Sequence, residues 1–145
     1  MIFIGTDHGG FELKEELVAY IRSELKVDIE DLGIYEKKSA DYPNIASIVS
    51  EHVIKEGGLG ILICGTGIGI SISANKVRGI RCALCSEEYS ARMARLHNDA
   101  NMLALGGRTI GPELAKSIVK AFLETEFSNE ERHHNRVCKI SELER

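Results

Sequence analysis

The chain has 145 residues, 43% of them hydrophobic, and its 18 Lys and Arg against 22 Asp and Glu give a formal charge of −4. That length fits one domain able to bury its own core, and the mixed composition excludes disorder, collagen and coiled coil. The acidic balance argues against nucleic acid and anionic membranes as partners, and no apolar run approaches the roughly 20 residues that span a bilayer.

Met1 to Thr6, MIFIGT, is predicted as a first strand and ends in the polar, glycine-bearing cluster Asp7-His8-Gly9-Gly10. This amino terminus has neither a basic leader nor a long apolar segment, so no signal peptide is expected. Phe11 to Leu25 follows as an amphipathic helix, with Leu13, Leu17, Ile21 and Leu25 recurring every four residues. Val27 to Leu32 is a weaker strand, and Gly33 to Asp41 a loop. Pro43 opens a second helix, which Gly57-Gly58 stops after Glu56.

The most informative stretch is Leu59 to Asn75, LGILICGTGIGISISAN. Gly60 to Cys64 reads as a strand buried on both faces. Gly65, Gly67 and Gly69 then form a turn that lets backbone approach a ligand, and Ser71 to Val77 is predicted as a helix. Strand, glycine turn and helix aim free backbone N–H groups at an anion. Cys64 stands at the mouth of that turn, where a helix amino terminus favours thiolate, the reactive form of cysteine.

Ile80 to Cys85 is predicted as the fourth strand. Ser86 is the expected cap of the next helix, with Glu87 and Glu88 in its first turn and Arg92, Arg95 and His97 in its last. Asn101 to Leu105 makes a fifth strand, ending in Gly106-Gly107-Arg108. Gly111-Pro112 starts a helix to about Phe127, and Val137 to Leu143 forms a short terminal segment. Cys82 and Cys85 are spaced like a redox or zinc pair, but in a strand their side chains point to opposite faces, so both are read as core. Four cysteines without framework spacing suit a reducing, cytoplasmic setting. His52 is read as surface, and the five histidines show no metal-ligand spacing.

Strands alternating with helices specify a doubly wound, Rossmann-like three-layer α/β sandwich on a five-stranded parallel sheet, in a single domain over residues 1–145. Ligands then bind beyond the carboxyl ends of the strands. Asp7, His8, Cys64, Thr66 and Arg108 all fall there. Arg132-His133-His134-Asn135-Arg136 is free of acids in an acidic chain. Its two arginines, four apart, would share a helical face suited to phosphate. A solvated tail is the plainer reading of that run.

Taken in order, Asp7-His8-Gly9, Asp41-Tyr42-Pro43, Cys64-Gly65-Thr66-Gly67-Ile68-Gly69-Ile70-Ser71, Ala74-Asn75-Lys76, Gly79-Ile80-Arg81, Ser86, His97-Asn98-Asp99, Gly107-Arg108 and Arg132-His133 … Arg136 make a recognisable set. With these motifs the chain resembles the ribose/galactose isomerase family, which holds type B ribose-5-phosphate isomerases and galactose-6-phosphate isomerase subunits. The resemblance runs from Met1 to about Ile140.

What it implies is a sugar-phosphate aldose–ketose isomerase interconverting D-ribose 5-phosphate and D-ribulose 5-phosphate, with neither metal nor cofactor, in the non-oxidative pentose phosphate pathway. By motif position His97 and Asp7 assist ring opening. A base then moves a proton between C2 and C1 through an enediolate. Family members use either a cysteine at position 64 or a glutamate six residues on; here Cys64 and Ile70 occupy those positions, which matches the cysteine type. Thr66 and the amides of Gly65, Gly67, Ile68 and Gly69 would stabilise the enediolate oxygen, a donor of this kind being worth about 3 kcal/mol of barrier. Phosphate ligands map onto His8, Arg108, Arg132 and Arg136, and Tyr42 onto a residue near the sugar. The resemblance also implies homodimers or dimers of dimers, with His97, Asn98 and Arg108 reaching a partner's site and residues 128–145 packing at the site or on a partner. A galactose or allose 6-phosphate substrate, and a non-catalytic phosphate or nucleotide sensor, are the alternatives.

Overall fold

In the computed structural model, which describes residues 1–33 and 40–144, a five-stranded parallel sheet has the order β2-β1-β3-β5-β4. The strands are β1 (Ile2–Thr6), β2 (Ile29–Asp31), β3 (Leu59–Cys64), β4 (Cys82–Leu84) and β5 (Met102–Gly106). The helices are α1 (Phe11–Tyr20), α2 (Tyr42–Glu56), α3 (Ile68–Ala74), α4 (Glu88–Asn98), α5 (Pro112–Glu124) and α6 (Glu131–Glu142). The predicted three-layer fold is therefore the one observed.

The register is continuous through the centre, where Ile4 lies beside Ile61 and Ile61 beside Leu103. One face of the sheet offers Ile4, Ile61, Ile63, Leu103 and Leu105 to α1, α4 and α5. The other offers Phe3, Leu62, Cys64, Met102 and Ala104 to α2 and α3. Full burial of each such aliphatic side chain contributes about 1.5–3 kcal/mol, and burial on both faces is why these runs lack polar alternation. Cys85 falls in the first cluster and Cys82 packs against the second, so the two sulfurs do point to opposite faces.

Several boundaries move. The first helix passes at Ile21–Leu25 into a wider turn, closed by Lys26 in the left-handed conformation. β2 shrinks to Ile29–Asp31, and residues 34–39 of the predicted loop lie outside those described. α3 begins at Ile68, a turn earlier than Ser71, because Gly67 (φ 78°) reverses the chain at once. Glu87 rather than Ser86 caps α4; its carboxylate accepts the Ser90 N–H at 2.9 Å. Arg92 sits mid-helix and pairs with Glu88. The terminal helix starts at Glu131, so the whole basic run is helical, and α6 packs on α4. His52 is half-buried against the Phe3 ring, at 5.5 Å between centroids. Lys14, unremarked in the sequence, is fully buried with its ammonium 2.8 Å from Asp31.

All four cysteines are free thiols. Burial, reinforced by Cys85, pushes the Cys82 thiol up to about 12, and burial with the nearby Glu87 carboxylate raises Cys85 to about 11. Both stay protonated at neutral pH and react slowly. Cys138 is exposed on α6. Alkylation of native protein at pH 8, followed by mass spectrometry, is expected to label Cys138 first and Cys82 and Cys85 only after unfolding; Cys138→Ser should remove the fast phase.

Candidate active site

The strand order reverses between β1 and β3, so their carboxyl ends diverge and leave a crevice. Three turns meet there, from β1, β3 and β5. They touch through backbone. A methyl group on Gly107 would lie 2.7 Å from the Gly9 carbonyl oxygen, and one on Gly9 would lie 3.0 Å from the Gly65 nitrogen. Two hydrogen bonds latch the second turn to the third: Gly107 N–H donates to the Cys64 carbonyl at 2.8 Å, and Arg108 N–H to the Gly65 carbonyl at 2.9 Å.

Cys64 closes β3 and is 5% exposed. Its sulfur accepts the Gly67 N–H at 3.1 Å, and Thr66 Oγ1 accepts the Ile68 N–H at 3.2 Å. Two of the turn's amides are thus engaged within the turn itself. The expected set of donors for a ligand is reduced accordingly, unless the thiol or hydroxyl exchanges them. Gly69 belongs to the first turn of α3 rather than to the loop, and the half-exposed Tyr42 ring fills the space where its side chain would be.

Asp7 is buried, and its carboxylate accepts the Gly9 N–H at 2.9 Å, fixing the short turn His8–Gly10. The Thr6 hydroxyl, which the sequence did not single out, lies 2.9 Å from the Ile63 carbonyl and 2.8 Å from that of Asp7, tying β1 to β3 just below the site. His8 is exposed and faces Arg108 across a recess of about 190 Å³ that Gly9, Glu12, Leu13 and Gly107 complete. Arg108 also lies over Gly65, where an added methyl would meet its guanidinium at 3.1 Å. So Asp7, His8, Tyr42, Cys64, Gly65, Thr66, Gly67, Ile68, Gly69 and Arg108 come together.

His97, Asn98, Arg132 and Arg136 do not join them within one chain. α4 runs back against the strands, and Asn98 and Asp99 carbonyls accept from Arg81 at the opposite end of the sheet. His97 there stacks on His133 of α6, with ring centroids 4.3 Å apart. Arg132 and Arg136 are exposed, and Arg132 pairs with Glu130 at 3.1 Å. A cavity of about 650 Å³ lies at this second end and is lined by Arg78, Arg81, Asn98, Leu143 and Glu144 among others. Its lining holds one carboxylate, that of Glu144, which accepts the Gly79 N–H at 2.8 Å. Among the described residues, no cluster of His, Cys, Asp and Glu is placed to share a metal ion, and no helix is long and apolar enough to cross a membrane.

The family model for Ribose/Galactose Isomerase matches residues 2–140. The chain belongs to the ribose/galactose isomerase family. Ribose-5-phosphate isomerase B of Escherichia coli is 49% identical over 144 residues, covering 99% of this chain and 95% of that protein. The solved structure of Clostridium thermocellum ribose-5-phosphate isomerase B superposes with a TM-score of 0.94 at 48% identity, covering 98% of this chain and 95% of that one. That from Thermotoga maritima gives 0.94 and 48%, over 98% and 97%. The family match extends to residue 140, within α6.

Two outcomes are expected from this geometry. In Gly107→Ala the new methyl must push backbone atoms of the first turn aside, costing about 1–3 kcal/mol in a urea titration and lowering activity. The buried His133 holds its pKa below the ordinary imidazole value, chiefly through burial, with His97 adding repulsion. An unfolded imidazole takes a proton near 6.5. Below that pH the unfolded chain binds the proton before the folded one does, so stability is full above about 6.5 and falls on acidification. Thermal melting between pH 7 and 5 should show that fall, with a shallower slope in His133→Phe.

Proposed function

We propose that this chain interconverts D-ribose 5-phosphate and D-ribulose 5-phosphate. Membership of the family makes it a sugar-phosphate isomerase. The observation that carries the pentose reading is the convergence of Cys64, Asp7, His8 and Arg108 on one crevice, in a chain alike from end to end to proteins described as ribose-5-phosphate isomerases B. Phosphate binds the recess of His8 and Arg108. Asp7 helps open the ring. The Cys64 thiolate then takes the proton from C2, the enediolate oxygen meets Thr66 and the adjacent amides, and the proton returns to C1. Held at its phosphate, the sugar is oriented for the reaction, and a positioned base contributes about 10²–10⁴ in rate.

A second chain supplies the other half. Ile68, Ile72, Leu84 and Tyr89 present 44–65% of their surface to solvent around the edge strand β4, an apolar face suited to a second copy. In such a dimer His97, Asn98, Arg132 and Arg136 of one chain complete the crevice of the other, His97 as the ring-opening acid and the arginines at the phosphate.

Cys64→Ala is expected to fold normally, to lose about 10²–10⁴ in kcat, and to stop exchange of the C2 hydrogen with D2O. Exchange at the wild-type rate would remove Cys64 from the mechanism. Equal mixing of inactive Cys64→Ala and His97→Asn chains, unfolded and refolded together, should restore roughly a quarter of wild-type activity, because half the dimers are mixed and each holds one whole site. No recovery would mean that the site is not shared.

A further inference from the structure

Between Glu131 and Arg136, α6 exposes every residue but one. His133 is 5% exposed. Its ring lies almost flat on that of His97, the planes 11° apart, a stacking geometry favourable for aromatic groups. The neighbouring backbone is pinned on both sides: His133 N–H donates to the Glu130 carbonyl at 3.0 Å, and Ser128 N–H to the Leu96 carbonyl at 3.2 Å, one residue before His97. At the ring edge, Nε2 is 3.4 Å from the Glu130 carboxylate.

The charged groups around His133 are His97 from α4 and Glu130, Arg132 and Arg136 from its own segment. Burial disfavours its protonation first; His97, Arg132 and Arg136 add to that, and Glu130 opposes them. A neutral ring beneath His97 is a platform. It limits the rotation of His97 without competing for its proton, whereas a charged one would repel it.

We propose that His133 is a positioning residue: by stacking on His97 it holds that imidazole at the angle needed to protonate the sugar's ring oxygen. The inference rests on the proposed pentose reading, in which His97 assists ring opening. In that step the C1–O bond of the ring breaks, the ring oxygen gains a proton from His97, and the C1 hydroxyl gives one to Asp7, leaving an aldehyde. His133 carries no proton in it.

The test exploits a difference between the two sugars. Ribose 5-phosphate is mostly a closed ring, whereas ribulose 5-phosphate cannot close a five-membered ring, because phosphate occupies its C5 oxygen. Turnover of the first needs ring opening; exchange of the C1 hydrogen of the second with D2O needs only the enediolate step. His133→Ala is expected to lower kcat on ribose 5-phosphate about tenfold, with KM within about twofold and exchange near the wild-type rate. His133→Phe, which keeps a flat face, should recover most of the loss. If the alanine variant fails to fold by circular dichroism, His133→Gln replaces it. Unchanged turnover, an equal fall in both assays, or no recovery with phenylalanine would overturn the inference. A wild-type protein inactive on ribose 5-phosphate would instead overturn the functional reading beneath it.

Discussion

The three turns at the carboxyl ends of β1, β3 and β5 pack main chain against main chain, and the site depends on that contact. It exists only because Gly9 and Gly107 lack side chains, since a single methyl at Gly107 would enter the space of the Gly9 carbonyl. The close approach permits the two hydrogen bonds that hold the third turn to Cys64 and Gly65. Side chains borne by such a floor inherit its rigidity. Cys64 is set by its own strand and by the Gly67 amide, Asp7 by the turn it caps, and Arg108 by its backbone bond to Gly65. Glycines weaken strands, and here the long apolar runs of β1, β3 and β5 offset that weakness.

A parallel sheet with antiparallel helices imposes a separation that one chain cannot undo. Residues after a strand lie at one end of the molecule; residues that close the following helix lie at the other. Cys64 and Asp7 belong to the first class and His97 to the second. α6 follows α5 back to the far end and lays Arg132 and His133 beside His97. The chain therefore carries two clusters, one with the thiol and carboxylate, one with imidazole and guanidinium groups. In the proposed dimer a two-fold axis would join them, by setting each end of one chain against the opposite end of its copy. α3 also leaves Ile68 and Ile72 exposed beside the short edge strand β4.

Local physics made much of this legible. The isoleucine-rich run at 61–63 could only be a doubly buried strand, and Gly57 stops α2 in the left-handed conformation as its position suggested. The spacing of Cys82 and Cys85 placed them on opposite faces. Other features depended on contacts distant in sequence. Pattern alone could not start α6 at Glu131, since His133 is its single buried residue and the surface that buries it belongs to α4. Nothing in the local sequence of α1 sets Lys14 apart, yet it is enclosed, with Asp31, a strand away, meeting its ammonium. Ser86 is the better cap by residue type, but Glu87 has the side chain that reaches the Ser90 amide.

By itself the sequence determined the order of strands and helices and the glycine turn after β3, because these follow from hydrophobic period and backbone freedom within short windows, and it offered candidate reactive groups by side-chain chemistry and family resemblance. Tertiary structure decided which of those groups meet. It put β5 rather than β4 next to β3, brought Arg108 over Gly65, gave the Cys64 sulfur the Gly67 amide, and paired His97 with His133 away from the thiol. Distances between residues far apart in the chain are set by how layers pack, and no local window contains that information.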